Sequence, residues 1–253
     1  MKIYTICKPA LEFKEIEDFL HNEKTLWRRT EGANSAEELI ELSGRLCYFS
    51  FGESQSPRSN GEYIRNLIEN GHESVLEHSV WSFIVTGISR AFSHQLVRHR
   101  AGFSFSQLSQ QYHDEGNASF VLPYGLEDRE DILEKWSAVT NEMLTAYRKI
   151  QVALIGSRKL ETIPKEELRA IRSISRSVLP NATETKIAVT ANTRALRNFI
   201  KTRGRTIGDL EMRKFCCQLL AEMKGHCPAA FYDLNVVECL DDELPIVSWN
   251  GDR

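Results

Sequence analysis

Thr183-Glu184-Thr185-Lys186-Ile187-Ala188-Val189-Thr190 alternates polar and apolar side chains. After Ala191 the pattern changes to a helical one in Asn192-Thr193-Arg194-Ala195-Leu196-Arg197-Asn198-Phe199-Ile200-Lys201-Thr202-Arg203. A period of two is the mark of a strand with one buried face, and the switch to 3.6 marks a helix that begins where the strand stops. The same arrangement occurs upstream. Val80-Trp81-Ser82-Phe83-Ile84-Val85 is β-branched and aromatic, and it leads into a helix expected over Ser89 to Arg100. Helical periodicity also marks Ala36 to Tyr48, Glu62 to Glu69, Asp131 to Ile155 and Gly208 to Met223. In the third of these, Ile132, Trp136, Val139, Met143, Ala146, Tyr147, Ile150 and Leu154 form one apolar face. Pro164 followed by Glu166 and Glu167 opens another helix, with acids where the helix dipole favours them. Met1 to Cys7 reads as a short strand. With no repeats, low-complexity runs or Pro/Gly linkers, the expectation is a single domain over residues 1–253. Its class is α+β, with a small antiparallel sheet flanked by long helices.

Composition narrows the function. The chain has 253 residues, enough to bury a real core, and 42% are hydrophobic against 26% charged. Lys and Arg number 32 against 35 Asp and Glu, a formal charge of -3, which argues against wholesale nucleic-acid binding. The N-terminus lacks the apolar core of a signal peptide, and no apolar run reaches membrane-spanning length. Cys7, Cys47, Cys216, Cys217, Cys227 and Cys239 form no CxxC pair, so reduced and mostly buried thiols in a cytoplasmic protein are expected. The sequons at Asn117 and Asn181 have meaning only in a secreted chain.

Any anion site must then be a local concentration of cations. Arg98-His99-Arg100-Ala101-Gly102-Phe103-Ser104-Phe105-Ser106-Gln107-Leu108-Ser109-Gln110-Gln111-Tyr112 offers one. Arg supplies forked donors for phosphate, Ser and Gln supply neutral hydrogen bonds, and aromatic rings supply stacking area for a heterocycle. Cations at a helix C-terminus before a Gly are also ordinary dipole complement, and both readings stand at this point. On the helix from Asn192, the residues Asn192, Arg194 and Asn198 cannot all share one stripe, so some of its polar residues are expected on a solvated face. Gly71-His72-Glu73-Ser74-Val75-Leu76-Glu77-His78 has the wrong spacing for zinc on one helix face. A structured turn after a C-terminal Gly, with His78 packed in the core, is the plainer expectation, and no metal is expected. GxGxxG, GxxxxGK[ST] and GxSxG are all missing from the sequence.

Taken together, these segments resemble a known family. Gly71-His72-Glu73-Ser74, Glu77-His78, Gln95-Leu96-Val97-Arg98-His99-Arg100 and Ser106-Gln107-Leu108-Ser109-Gln110 resemble the first signature of the flavin-dependent thymidylate synthases. Ser175-Arg176-Ser177-Val178-Leu179-Pro180 and Asn192 to Arg203 are similar to the second, and Cys227-Pro228 stands where the family often has it. The order is kept from about Ala36 to Leu234.

The resemblance implies a thymidylate synthase-complementing-protein-like fold and a homotetramer with sites shared between subunits. FAD would be held by residues matching Ser74, Arg98, His99, Arg100, Gln107, Asn192, Thr193, Arg194 and Asn198. The nucleotide would be held by residues matching Gln95, Leu96, Val97, Arg98, Gln107, Leu108, Ser109, Gln110, Gln111, Arg176 and Arg203. Arg203 would be catalytic, stabilising the enolate-like charge that makes uracil C5 nucleophilic. The implied reaction is reductive C5-methylation of dUMP to dTMP. The one-carbon unit comes from 5,10-methylenetetrahydrofolate, and a hydride passes from NADPH through FAD. No cysteine stands at a matched site, in keeping with a family not built around a thiol nucleophile.

Three departures bear on the nucleotide. One extra residue lies between Arg98 and Ser109, Gln111 stands where many members have Arg, and Ile207-Gly208-Asp209 replaces the usual His-Ala-Gln. Methylation of UMP on the same scaffold, or a non-catalytic nucleotide-binding role, are the alternatives these leave open.

Overall fold

In the computed structural model, which describes residues 1–239 and 244–249, the chain runs β1 (Lys2–Cys7), α1 (Phe13–Asn22), α2 (Ser35–Tyr48), α3 (Asn60–Glu69), β2 (Val80–Ser89), α4 (Arg90–Leu96) and β3 (Phe103–Gln107). It continues with α5 (Glu130–Ile155), α6 (Lys165–Ser175), β4 (Glu184–Asn192), α7 (Thr193–Arg203), α8 (Leu210–His226), β5 (Leu234–Val237) and β6 (Ile246–Trp249). The alternation at Thr183–Thr190 is realised in β4, where Thr185, Ile187, Val189 and Ala191 are buried. Four strands form a sheet in the order β1-β2-β4-β3, and β5 pairs with β6 antiparallel. Ser82 meets Thr190 at 2.8 Å, whereas Gly87 N donates to Glu184. Rising numbers in β2 thus face falling numbers in β4, which is antiparallel pairing. Likewise Leu108 N donates to Lys186 O, and Asn192 N donates to Gly102 O. A small antiparallel sheet with long helices is what the periodicity implied.

The chain forms two compact units. One comprises residues 1–2, 85–98 and 105–188, and the other comprises 3–84, 99–104 and 189–253. In the first, α4 buries Phe92, Ser93 and Leu96, and α5 and α6 bury Leu144, Tyr147 and Ile171. In the second, Leu196, Phe199 and Ile200 of α7 pack with Met212, Phe215 and Cys216 of α8, the Phe199 and Phe215 rings lying 6.0 Å apart. Asn34 caps α2, and Ser59 with Glu62 forms a capping box on α3. Among the described residues, no helix is long and apolar enough to cross a membrane.

Several sequence expectations need correction. The helix expected to Arg100 stops at Leu96, because Gly102 with φ +73° turns the chain into β3. Phe103-Ser104-Phe105-Ser106-Gln107 then alternates half-buried and exposed, a strand pattern hidden among the functional-looking residues. Strand β2 runs on to Ser89, beyond the expected Val85. His78 is exposed, not a core residue. Only Cys216, Cys217 and Cys227 are buried, while Cys7 and Cys47 are exposed. On α5 the long apolar face keeps only Tyr147 fully covered, and Val139 and Leu154 are exposed. Helix α1 and strands β3, β5 and β6 carried no expectation.

Candidate active site

The second unit contains a cleft of 410 Å³ lined by Glu73, Glu77, Ala101, Gly102, Asn192, Arg194, Ala195 and Asn198. Its floor depends on Gly102. A Cβ there would lie 2.7 Å from Ala195 Cβ and 2.8 Å from Asn192 Nδ2, so only glycine lets this turn rest on the start of α7. Asn192 stands outside the helix as its N-cap, its Oδ1 accepting from Ala195 N at 2.8 Å. Arg194 and Asn198 follow one turn apart on one face. The three residues that a single helical stripe cannot hold therefore line one cleft, because one of them is the cap.

The inner face of α7 is held differently. Arg197 is buried and donates to Asp233 Oδ1 at 2.7 Å, to Asp233 Oδ2 at 3.0 Å and to Ala230 O. Lys201 adds a second cation 3.3 Å from Asp233. Burial alone would raise Asp233, but hydrogen bonds and charge from Arg197 outweigh it and hold the carboxyl below its ordinary 3.8. With Arg197 fixed inside, Arg194 is directed outward, where it pairs with Glu77 at 2.5 Å. Both partners are half exposed, and such a pair contributes only about 0–1 kcal/mol. An incoming phosphate can take over that guanidinium at little cost. Of the other flavin-matched residues in this unit, Ser74 and Arg100 are exposed. Thr193 is fully buried, its hydroxyl bonded to Ser79 and Trp81, so it offers a ligand no side chain.

His99 is clamped edge-on against Phe199, with ring centroids 4.8 Å apart, and a tilted contact to Phe103. Burial lowers its pKa below 6.5, and the positive charge of Arg203 lowers it further, which keeps the ring neutral at pH 7. Arg203 donates to Asp209 Oδ2 at 3.2 Å, while its Nε is buried without a partner. Asp209 also caps α8, accepting from Met212 N. The departure at Ile207-Gly208-Asp209 thus places a carboxylate that orients Arg203.

The first unit holds the nucleotide-matched residues other than Arg203. Gln95 and Arg98 are exposed at the end of α4 and Val97 is half-buried, but Leu96 is a core side chain. Gln107 donates to Ser93 Oγ at 2.8 Å and to Thr185 Oγ1 at 3.2 Å. Leu108 continues the β3 ladder, Ser109 Oγ accepts from Gln111 N, and Gln110 is buried. Arg176 ends α6 half-buried, close enough to Arg90 that its charge adds to burial in lowering the Arg90 pKa.

Gln111 shows what replaces the arginine usual at its position. It lies 3.3 Å from Ser173 Oγ, and its Oε1 accepts from Arg169 Nη2 at 3.5 Å. Arg169 stacks 4.8 Å over Tyr112, Arg172 donates to Tyr112 O, and both arginines bury an Nε without a partner. One face of α6 therefore presents Arg169 and Arg172 toward the segment that Gln111 begins, and Arg176 follows just past the end of the helix. Sequence reasoning missed Arg169, and it assigned no site role to Asp209, seen only as part of a departure, or to the cleft acids Glu73 and Glu77, seen only within a signature. The first was legible only as helix spacing, and the second as an Asp before an apolar-periodic run.

Comparison with known proteins agrees with the signatures. The family model described as thymidylate synthase complementing protein matches residues 27–229. A protein of Mycobacterium sp. (strain JLS) named flavin-dependent thymidylate synthase is 40% identical over 215 residues, covering 83% of this chain and 84% of its own. One of the same name from Mycobacterium tuberculosis (strain ATCC 25177 / H37Ra) is 38% identical over 227 residues, 88% of this chain and 89% of its own. With more than half its length matched by the family model and such identity over most of both chains, this chain belongs to the thymidylate synthase complementing protein family.

Proposed function

We propose that this chain is a flavin-dependent thymidylate synthase, a single catalytic domain over residues 1–253 with the fold of its family. It methylates C5 of dUMP to give dTMP, taking the carbon from 5,10-methylenetetrahydrofolate. When bound, FAD supplies the hydride that completes the methyl group, with NADPH as the source of electrons. The observation that carries this reading is the cleft against α7. Amide donors from Asn192 and Asn198, a weakly engaged Arg194 and the close approach at Gly102 suit a flavin with its ribityl chain and phosphates. Its 410 Å³ falls within the usual range for small-molecule sites, about 300–1,000 Å³, yet is small for a whole dinucleotide. That supports a site completed by other subunits of a homotetramer. So does the apolar groove on α5 around Ile132, Trp136, Val139 and Met143.

The roles of the chain's own residues follow from their chemistry. Arg176 and its neighbours on α6 hold the nucleotide phosphate, and Ser109 and Gln110 hydrogen-bond the nucleotide. Arg203, oriented by Asp209, places positive charge where the uracil gains negative charge, and neutral His99 adds no competing cation. A cytoplasmic location goes with this chemistry. The test is direct. Purified protein given FAD gains flavin absorbance, and with NADPH and methylenetetrahydrofolate it converts dUMP to dTMP with a higher kcat/KM than UMP. No flavin binding sinks the proposal, and a preference for UMP sinks the choice of nucleotide.

Arg169 supplies the charge that Gln111 lacks. Arg169→Ala is expected to raise the KM for dUMP by about ten- to a hundred-fold, the loss of one charge-assisted bond of about 1.5–3 kcal/mol. Restoring arginine as Gln111→Arg in that background is expected to recover most of it. Steady-state kinetics with dUMP varied checks both, and an unchanged KM in Arg169→Ala excludes the role.

A further inference from the structure

The second unit has another cleft, of 280 Å³, against α2 and α3, which no residue matched to flavin or nucleotide lines. Its innermost wall is Arg45, whose side chain is fully buried. Arg45 Nε donates to Glu41 at 2.6 Å, Nη1 donates to Ser50 O at 3.3 Å, and the guanidinium lies 4.5 Å over the Tyr63 ring. Nη2 is buried with no hydrogen-bond partner, and so is the hydroxyl of Ser56 on the same cleft. The Glu41 carboxylate cannot serve them. It holds the Nε edge of the guanidinium and is shared with Trp27 Nε1 and Asn60 Nδ2. Arg58 stands exposed on the cleft wall, and Tyr48 offers an exposed ring.

Buried donors without acceptors select a ligand group that only accepts. Two guanidiniums and a hydroxyl suit an oxyanion. The position narrows the source. His72 lines this cleft, and the next residue, Glu73, lines the cleft assigned to flavin. We propose that the Arg45–Ser56–Arg58 cleft binds the oxyanion end of a co-substrate whose reactive end works in the neighbouring site. This rests on the proposed function, in which two co-substrates end in oxyanions: NADPH in its 2′-phosphate, and the folate in its glutamyl carboxylates.

The test uses FAD-loaded protein saturated with dUMP, as wild type and as Arg58→Ala and Ser56→Ala. Both substitutions leave the Arg45–Glu41 pair intact. Calorimetric titration with inorganic phosphate and with p-aminobenzoylglutamate is expected to show saturable binding of one probe, weakened ten-fold or more in Arg58→Ala. In steady state, the KM for the matching co-substrate rises by a similar factor while kcat, flavin absorbance and the KM for dUMP stay as in wild type. A rise confined to NADPH identifies the phosphate, and one confined to the folate identifies the carboxylate. If neither probe binds wild type, or neither KM moves in either variant, the proposal is overturned. Wild type that binds a probe at this cleft but forms no dTMP would overturn the enzyme assignment and leave the oxyanion cleft standing.

Discussion

Arg203→Ala lowers kcat by about 10²–10³-fold, about 3–4 kcal/mol of barrier, and changes the KM for dUMP far less. The asymmetry follows from when the charge is needed. Bound uracil is neutral, and negative charge gathers on its oxygens only as C5 becomes nucleophilic, so the guanidinium acts mainly on the transition state. The setting supports a large effect: Arg203 keeps 24% of its side chain exposed, its Nε is buried, and Asp209 fixes its direction. Single-turnover rates with FAD loading measured in parallel check it, and a rise in the KM for dUMP with kcat unchanged would remove Arg203 from the chemistry. Replacing each cysteine singly is the control. Burial pushes the Cys216, Cys217 and Cys227 thiols up, away from the thiolate a nucleophile needs. Loss of turnover in one such variant with FAD still bound would point to a covalent thiol route.

Asp233→Ala destabilises the protein by about 3–5 kcal/mol, because it leaves Arg197 buried without its bidentate partner. Replacing Arg197 and Asp233 together by Met and Leu costs much less, since no charge is then stranded. Urea denaturation of both variants separates the two cases, and equal losses would mean that packing, not charge, sets the effect. The pH dependence has a definite sign. The folded carboxyl titrates below its ordinary 3.8, so the pair's contribution is complete above that value and is lost as the pH falls through the folded pKa. Because Arg197 fixes the inner face of α7, FAD affinity should fall with stability in Asp233→Ala, through Arg194 and Asn198.

Local pattern made much of this legible in advance. Alternation in β4, the 3.6 periodicity of α2, α5 and α8, and the acids after Pro164 depend on neighbours within a turn or two, and sequence alone carries them. The signatures led to the right family because they are ordered segments, whatever their contacts. Tertiary structure decided which side chains are spent on the fold. Thr193 and Leu96 lie inside matched motifs yet face the core, while Arg197, one charge among several on a polar helix, is its buried anchor. That Gly102 must be glycine depends on Ala195 and Asn192, about 90 residues away in sequence and under 3 Å from its missing Cβ. The pairing of Arg169 with Gln111 and of Arg203 with Asp209 likewise depends on distances through space. A one-dimensional pattern specifies which face a residue shares with its near neighbours, and only the folded chain specifies what that face meets.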